Sequence, residues 1–175
     1  MRSQKSREVA WTGMLFALAV ALSFLESAIT PLLGLMPAMK LGLSNLVVMY
    51  ALLFLNTRTA AELVLLKALF ALLTRGPTAG FLSLCGGVLS FLVLWGLLHL
   101  PASPGEFIFT VSGALAHNIG QLLGASVILS SAMSLYYAPV MLVFGLIMGS
   151  LTSITLRALL PALGRLGYNT REKRG

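Results

Sequence analysis

The stretch "LGLSNLVVMYALLFLNTRTAAELVLLKALFALLT", residues 41–74, decides the fold of this chain. It holds two apolar runs, 41–55 and 60–74, separated by the polar "NTRT" at 56–59. A helix needs about 20 residues to cross about 30 Å of hydrocarbon, so each run falls short of an ordinary crossing. The break cannot lie in lipid unsupported, because backbone groups there have no water to bond. The stretch is therefore either two short crossing helices or a re-entrant hairpin. A cytoplasmic Arg58 fits the positive-inside rule and favours two true crossings, with local thinning of the bilayer or lysine snorkelling absorbing the shortfall.

Outward from this stretch, the runs 9–29, 79–99, 106–130 and 138–160 each reach spanning length. The chain is thus expected to be an all-α integral membrane protein of six transmembrane helices. Composition agrees: 58% of residues are hydrophobic and 10% charged, with a mean hydropathy of +0.93, against roughly 45–50% and about 25% in soluble domains. One membrane domain over 1–175, ending in a basic tail at 161–175, accounts for the length. The net charge of +7 does not point to nucleic acid, since Arg2, Lys5, Arg7, Arg165, Arg171, Lys173 and Arg174 are all near the ends. Basic flanks stay on the cytoplasmic side, so both termini are expected there, in a bacterial-type cytoplasmic membrane crossed several times. The N-terminus also resembles a secretory signal, but its apolar run exceeds the usual length and Glu26 stands where a cleavage site belongs, so it reads as a retained first helix. Cys85 is the sole cysteine and offers no disulfide framework.

With this topology residues 30–40, 75–78 and 131–137 are external. Lys40 then ends the first outer loop, Ser44 and Asn45 follow one turn into the second helix, and Arg75 opens the second outer loop. Glu26 lies about a turn below the outer end of helix 1, Lys67 near the middle of helix 3, and His117, Asn118 and Gln121 in the middle of helix 5. Ionisable groups at such depth cost roughly 2.5–3.5 kcal/mol even on lenient scales, and so face an interior or a cavity. The plainer readings are loop solvation for Lys40 and Arg75, an ion pair of Lys67 with Glu26 or Glu62, and interhelical hydrogen bonding for the helix 5 cluster. His117 and Gln121 are four positions apart and Asn118 and Gln121 three, so they project over one side of the helix.

Small residues form ridges at Gly13, Ala17 and Ala21, at Ala116, Gly120 and Gly124, at Gly145, Gly149 and Ser153, and in "CGGVLS" with Gly86, Gly87 and Ser90. Such ridges let helix backbones approach closely. Chemistry is mostly denied. All five acidic residues are glutamates, at 8, 26, 62, 106 and 172, so no aspartate-rich magnesium site for diphosphate chemistry exists. There is no Walker A loop and no GxSxG elbow. Two histidines, at 99 and 117, supply too few ligands for a metal, and no cofactor is implied.

The segments "KLGLSNL" at 40–46, "SLCGGVLS" at 83–90, "GALAHNIGQL" at 113–122 and "YAPVMLVFGLIMGSLT" from 137 resemble the signature segments of the Gx transporter family. That family is also labelled heptaprenyl diphosphate synthase component I and is similar to the S components of energy-coupling factor transporters. The resemblance covers nearly all of 9–160. It implies an S-component-like bundle that binds a small solute from outside and docks on a coupling transmembrane subunit energised by a pair of ATPases. By the same resemblance Ala17 and Ala21, extended by Gly13, match the docking face. Lys40, Ser44 and Asn45 match the segment near the pocket cap, with Arg75 and the polar residues of helices 3 and 5 lining the pocket. The enzyme label implies prenyl transfer, which the missing aspartates contradict.

The expectation is thus a non-enzymatic solute-binding and translocating subunit. Lys40, Lys67 and Arg75 favour an anionic or carbonyl-rich molecule of vitamin-like or prenyl/quinone-like kind. The competing expectation is an accessory subunit of an isoprenoid-synthesis or membrane redox complex, with the polar cluster as packing glue. Membrane lipid is a partner in both.

Overall fold

The computed structural model describes residues 2–32, 42–101, 104–129, 136 and 138–165. Its helices are α1 (Arg2–Leu32), α2 (Asn45–Tyr50, continued by a π-helical turn Ala51–Leu55), α3 (Thr57–Arg75), α4 (Pro77–Leu98), α5 (Glu106–Leu129) and α6 (Ala138–Arg165). No strand occurs among the described residues. Val9–Ile29, Pro77–Leu98 and Ala138–Arg157 are long and apolar enough to cross a membrane.

The outer surface is apolar, and the interior combines an apolar core with buried polar groups. Leucine, isoleucine, valine and phenylalanine are exposed along α1, α3, α5 and α6, while Glu26, Ser44, Asn45, Ser83, Ser90, His117, Asn118, Gln121 and Thr152 are buried. Lipid is as apolar as leucine, so burying leucine gives little advantage, whereas polar groups must find partners inside.

Glycine contacts set the packing order and direction. On α4, Gly80 sits against Leu72 and Gly87 against Val64 of α3, so these helices run antiparallel. Gly86 and Cys85 meet His117, Gly120 and Gly124 while Leu94 meets Gly113, which makes α4 and α5 antiparallel. Gly145 faces Leu115 and Asn118, and Gly149 faces Val111, so α5 and α6 are antiparallel too. A Cβ at Gly120 would stand 2.6 Å from the Cys85 carbonyl oxygen, so the α4–α5 seam has no room for any side chain there. The ridges on α4, α5 and α6 are therefore internal seams. The ridge on α1 is not: Gly13, Ala17 and Ala21 are exposed, with nothing within 4 Å of a Cβ built at Gly13.

Four expectations need correction. The helix over 41–55 begins only at Asn45, because Gly42 has φ +85°, which a right-handed helix cannot propagate. At six residues plus a five-residue π turn, α2 rises about 15 Å, half of a bilayer core, and does not cross by itself. The break "NTRT" shrinks to Asn56, which is extended and caps α3 by accepting the Thr59 N–H at 2.6 Å. The tail from 161 starts as helix, since α6 runs to Arg165. Lys40 and residues 166–175 lie outside the described residues.

The short α2 contacts each of the other helices. Val47, Val48, Met49, Ala51 and Leu52 form the middle of an apolar cluster with Leu15 and Ala19 of α1, Leu63 and Val64 of α3, Leu94 of α4 and Phe109 of α5. Being enclosed by protein, α2 need not match the thickness of the membrane.

Candidate functional site

The entry to α2 positions the site. Gly42 donates its backbone N–H to Oε1 of the buried Glu26, tying the start of α2 to α1. Three residues on, Asn45 donates from Nδ2 to Ser90 Oγ at 2.9 Å, and Ser90 donates in turn to the Gly113 carbonyl at 2.8 Å. This relay joins α2, α4 and α5. Because Ser90 and Gly113 lie well inside their helices, α2 begins in the interior of the bundle rather than at its surface. The other ties are Asn118 Nδ2 to the Met141 carbonyl at 2.7 Å and Arg75 Nη2 to Ser23 Oγ at 3.2 Å.

Two crevices open beside this half-helix. The first is bounded by Gly42, Asn45 and Met49 on α2's side, His117 and Asn118 on α5, and Thr152 on α6. The second is bounded by Ser23 of α1, Ser44, Lys67 and Arg75 of α3, Ser83 of α4 and His117. Both are narrow, each with enclosed space of about 10 Å³. His117 belongs to both walls. The second crevice offers two cations and three hydroxyls; Ser44 does not use its hydroxyl to cap its own helix.

Six of the residues singled out in the sequence meet here: Ser44, Lys67, Arg75 and His117 around one crevice, and Asn45, His117 and Asn118 around the other. Glu26 stands behind the wall as the clamp on Gly42. Gln121 packs on Gly86, buried, with its Oε1 lacking a hydrogen-bond partner. Lys40 lies outside the described residues. The charged pairs Arg58–Glu62 and Arg157–Glu106 are exposed, and none of their four residues lines either crevice.

Sequence reasoning missed Ser23, Ser83, Thr152 and Gly42. Ser83 opens the quoted "SLCGGVLS", where attention went to the glycines; Gly42, between Lys40 and Ser44, was the available sign of a chain reversal before the helix. Among the described residues no group of three or more His, Cys, Asp or Glu could hold a metal.

Apolar side chains exposed on nearly every helix, with three helices long and apolar enough to cross a membrane and polar groups buried between them, mark an integral membrane protein. Within that class the chain belongs to the family described as heptaprenyl diphosphate synthase component I, whose model matches residues 15–159. The family expected from "KLGLSNL" and "GALAHNIGQL" is thus the one found. No curated protein and no solved structure matches the chain.

Proposed function

We propose that the chain is the solute-binding and translocating subunit of a membrane transporter, similar to an energy-coupling factor S component. In this reading it sits in a bacterial-type cytoplasmic membrane with both termini inside. In this topology the chain traverses the bilayer six times. Its solute is a small anionic or carbonyl-rich molecule, vitamin-like or prenyl/quinone-related.

One observation carries this reading: the half-buried Lys67, the exposed Arg75 and the buried Ser44 and His117, drawn from separate parts of the chain, line one crevice between the helices. A lysine part-way into a membrane helix is costly and is kept for a pathway or a ligand. The exposed Gly13, Ala17 and Ala21 supply a smooth face on which a coupling subunit, itself driven by a pair of ATPases, can pack. Native mass spectrometry of the protein released from membranes tests the proposal. A specific small-molecule adduct in wild type that is lost in Lys67→Ala supports it, and equal retention by both, or none by either, removes the site.

A second reading, a non-catalytic accessory subunit of an isoprenoid/quinone-synthesis or redox complex, is favoured by the family description and by the use of Asn45, Ser90 and Asn118 as interhelical ties. Recovery with a prenyl synthase or flavoprotein supports this one, and recovery with a coupling subunit and ATPases supports transport.

A further inference from the structure

The hydrogen-bond directions at the entry of α2 leave one acceptor unmet. The Gly113 carbonyl can only accept, so the single Ser90 hydroxyl proton is directed to it. Toward Asn45, Ser90 is therefore the acceptor, and the Asn45 amide must present its NH2 to Ser90. Turning the amide over would set its oxygen against the Ser90 lone pairs, so Oδ1 is fixed on the other branch. That oxygen belongs to a residue 2% exposed and meets no donor among the described residues.

Asn45 lines the first crevice together with His117 and Asn118 of α5 and the buried Thr152 of α6. Thr155, on the same helix, donates back to the Leu151 carbonyl, and Thr152 makes no such bond among the described residues. The wall thus combines an acceptor that needs a donor, a hydroxyl that can give or take a hydrogen bond, and an imidazole that can do either by its tautomer. An organic group does not fit, because the enclosed space of about 10 Å³ has room for about one water molecule. No carboxylate lines the wall to balance a bare cation.

We infer that the first crevice holds one resident water molecule, which donates to Asn45 Oδ1 and bonds the Thr152 hydroxyl, tying α2 to α6. A buried water makes about three hydrogen bonds to groups of this kind, and His117 or Asn118 on the same wall supplies the third. With the water in place, polar ties run from Thr152 of α6 through Asn45 of α2 and Ser90 of α4 to the Gly113 carbonyl of α5. The water site does not depend on the solute-binding reading.

Two methionines make the water observable. Met49, 1% exposed, lines the crevice, whereas Met141, 8% exposed, is buried without lining it. X-ray radiolysis of the full-length protein in lipid nanodiscs turns internal waters into hydroxyl radicals, which oxidise the nearest side chains in place. Mass spectrometry should find Met49 sulfoxide forming severalfold faster than Met141 sulfoxide. Thr152→Val should bring Met49 down to the Met141 rate, and Thr152→Ser should keep it high. Equal rates at the two methionines in wild type, or a Met49 rate unchanged in folded Thr152→Val, overturns the assignment. A high-resolution map of the wild-type protein gives the second test: one peak within about 3.2 Å of both Asn45 Oδ1 and Thr152 Oγ1 supports the water. No peak, a protein donor on Asn45 Oδ1, or a peak ringed by oxygens at cation-coordination distance overturns it. The two wild-type measurements decide the matter even where a variant fails to fold.

Discussion

Helices α2 and α4 lie side by side and run in the same direction, Asn45 meeting Ser90 and Met49 lying with Leu94 beside Gly113, yet they solve different problems. Pro77–Leu98 is 22 residues long with 28% of its apolar window buried, so much of it faces lipid and must match the bilayer. Asn45–Leu55 has half that length and is enclosed on every side, so its length is set by protein neighbours. The contrast teaches that apolar composition has two meanings in a membrane protein. On α4 it is a solvent-facing surface, and on α2 it is the core. Only the helix sheltered from lipid can end its backbone in mid-bundle, where Gly42 is tied to Glu26 and Asn45 to Ser90.

The comparison breaks most severely at the α4–α5 seam. Gly120→Leu forces a side chain onto the Cys85 backbone and should cost about 3 kcal/mol or prevent folding, read as loss of monodisperse protein after detergent extraction. Gly42→Ala attacks the start of the half-helix. At φ +85° the added Cβ should cost about 1–2 kcal/mol in thermal unfolding, whatever the open space around it. Asn45→Leu removes the tie from α2 to α4 and should cost about 1 kcal/mol, within the range of interhelical bonds in membranes. At the far end of α2, Asn56→Ala removes the cap of α3 for a similar loss of about 1 kcal/mol, with Asn56→Asp largely restoring it. Smallest of all is Arg58→Ala, whose exposed pair with Glu62 contributes roughly 0–0.5 kcal/mol and should leave the melting curve within error. A larger effect there than at Asn45 would mean that α2 is held from its end and not from its polar start.

The existence of six helices, and all but one of their approximate extents, was legible in apolar runs and in their polar breaks. The burial of Glu26, His117, Asn118 and Gln121 was legible as well, because such groups have no place on a lipid-facing surface. What periodicity could not separate was which small-residue ridges were seams. Gly120 and Gly149 pack on neighbouring backbone while Gly13 and Ala17 face outward, and all four look alike as spacing.

By itself, then, the sequence determined the solvent, the helical class, the family and a short list of interior polar groups, since each follows from the cost of placing particular residues in hydrocarbon. Tertiary structure alone decided that α2 is a half-helix at the centre, that Glu26 holds the backbone just ahead of its first turn, and that Lys67 and Asn118 line two different crevices that share His117. Those outcomes depend on which helices are neighbours and on the direction of each hydrogen bond, and neither is encoded in the hydropathy of any one segment.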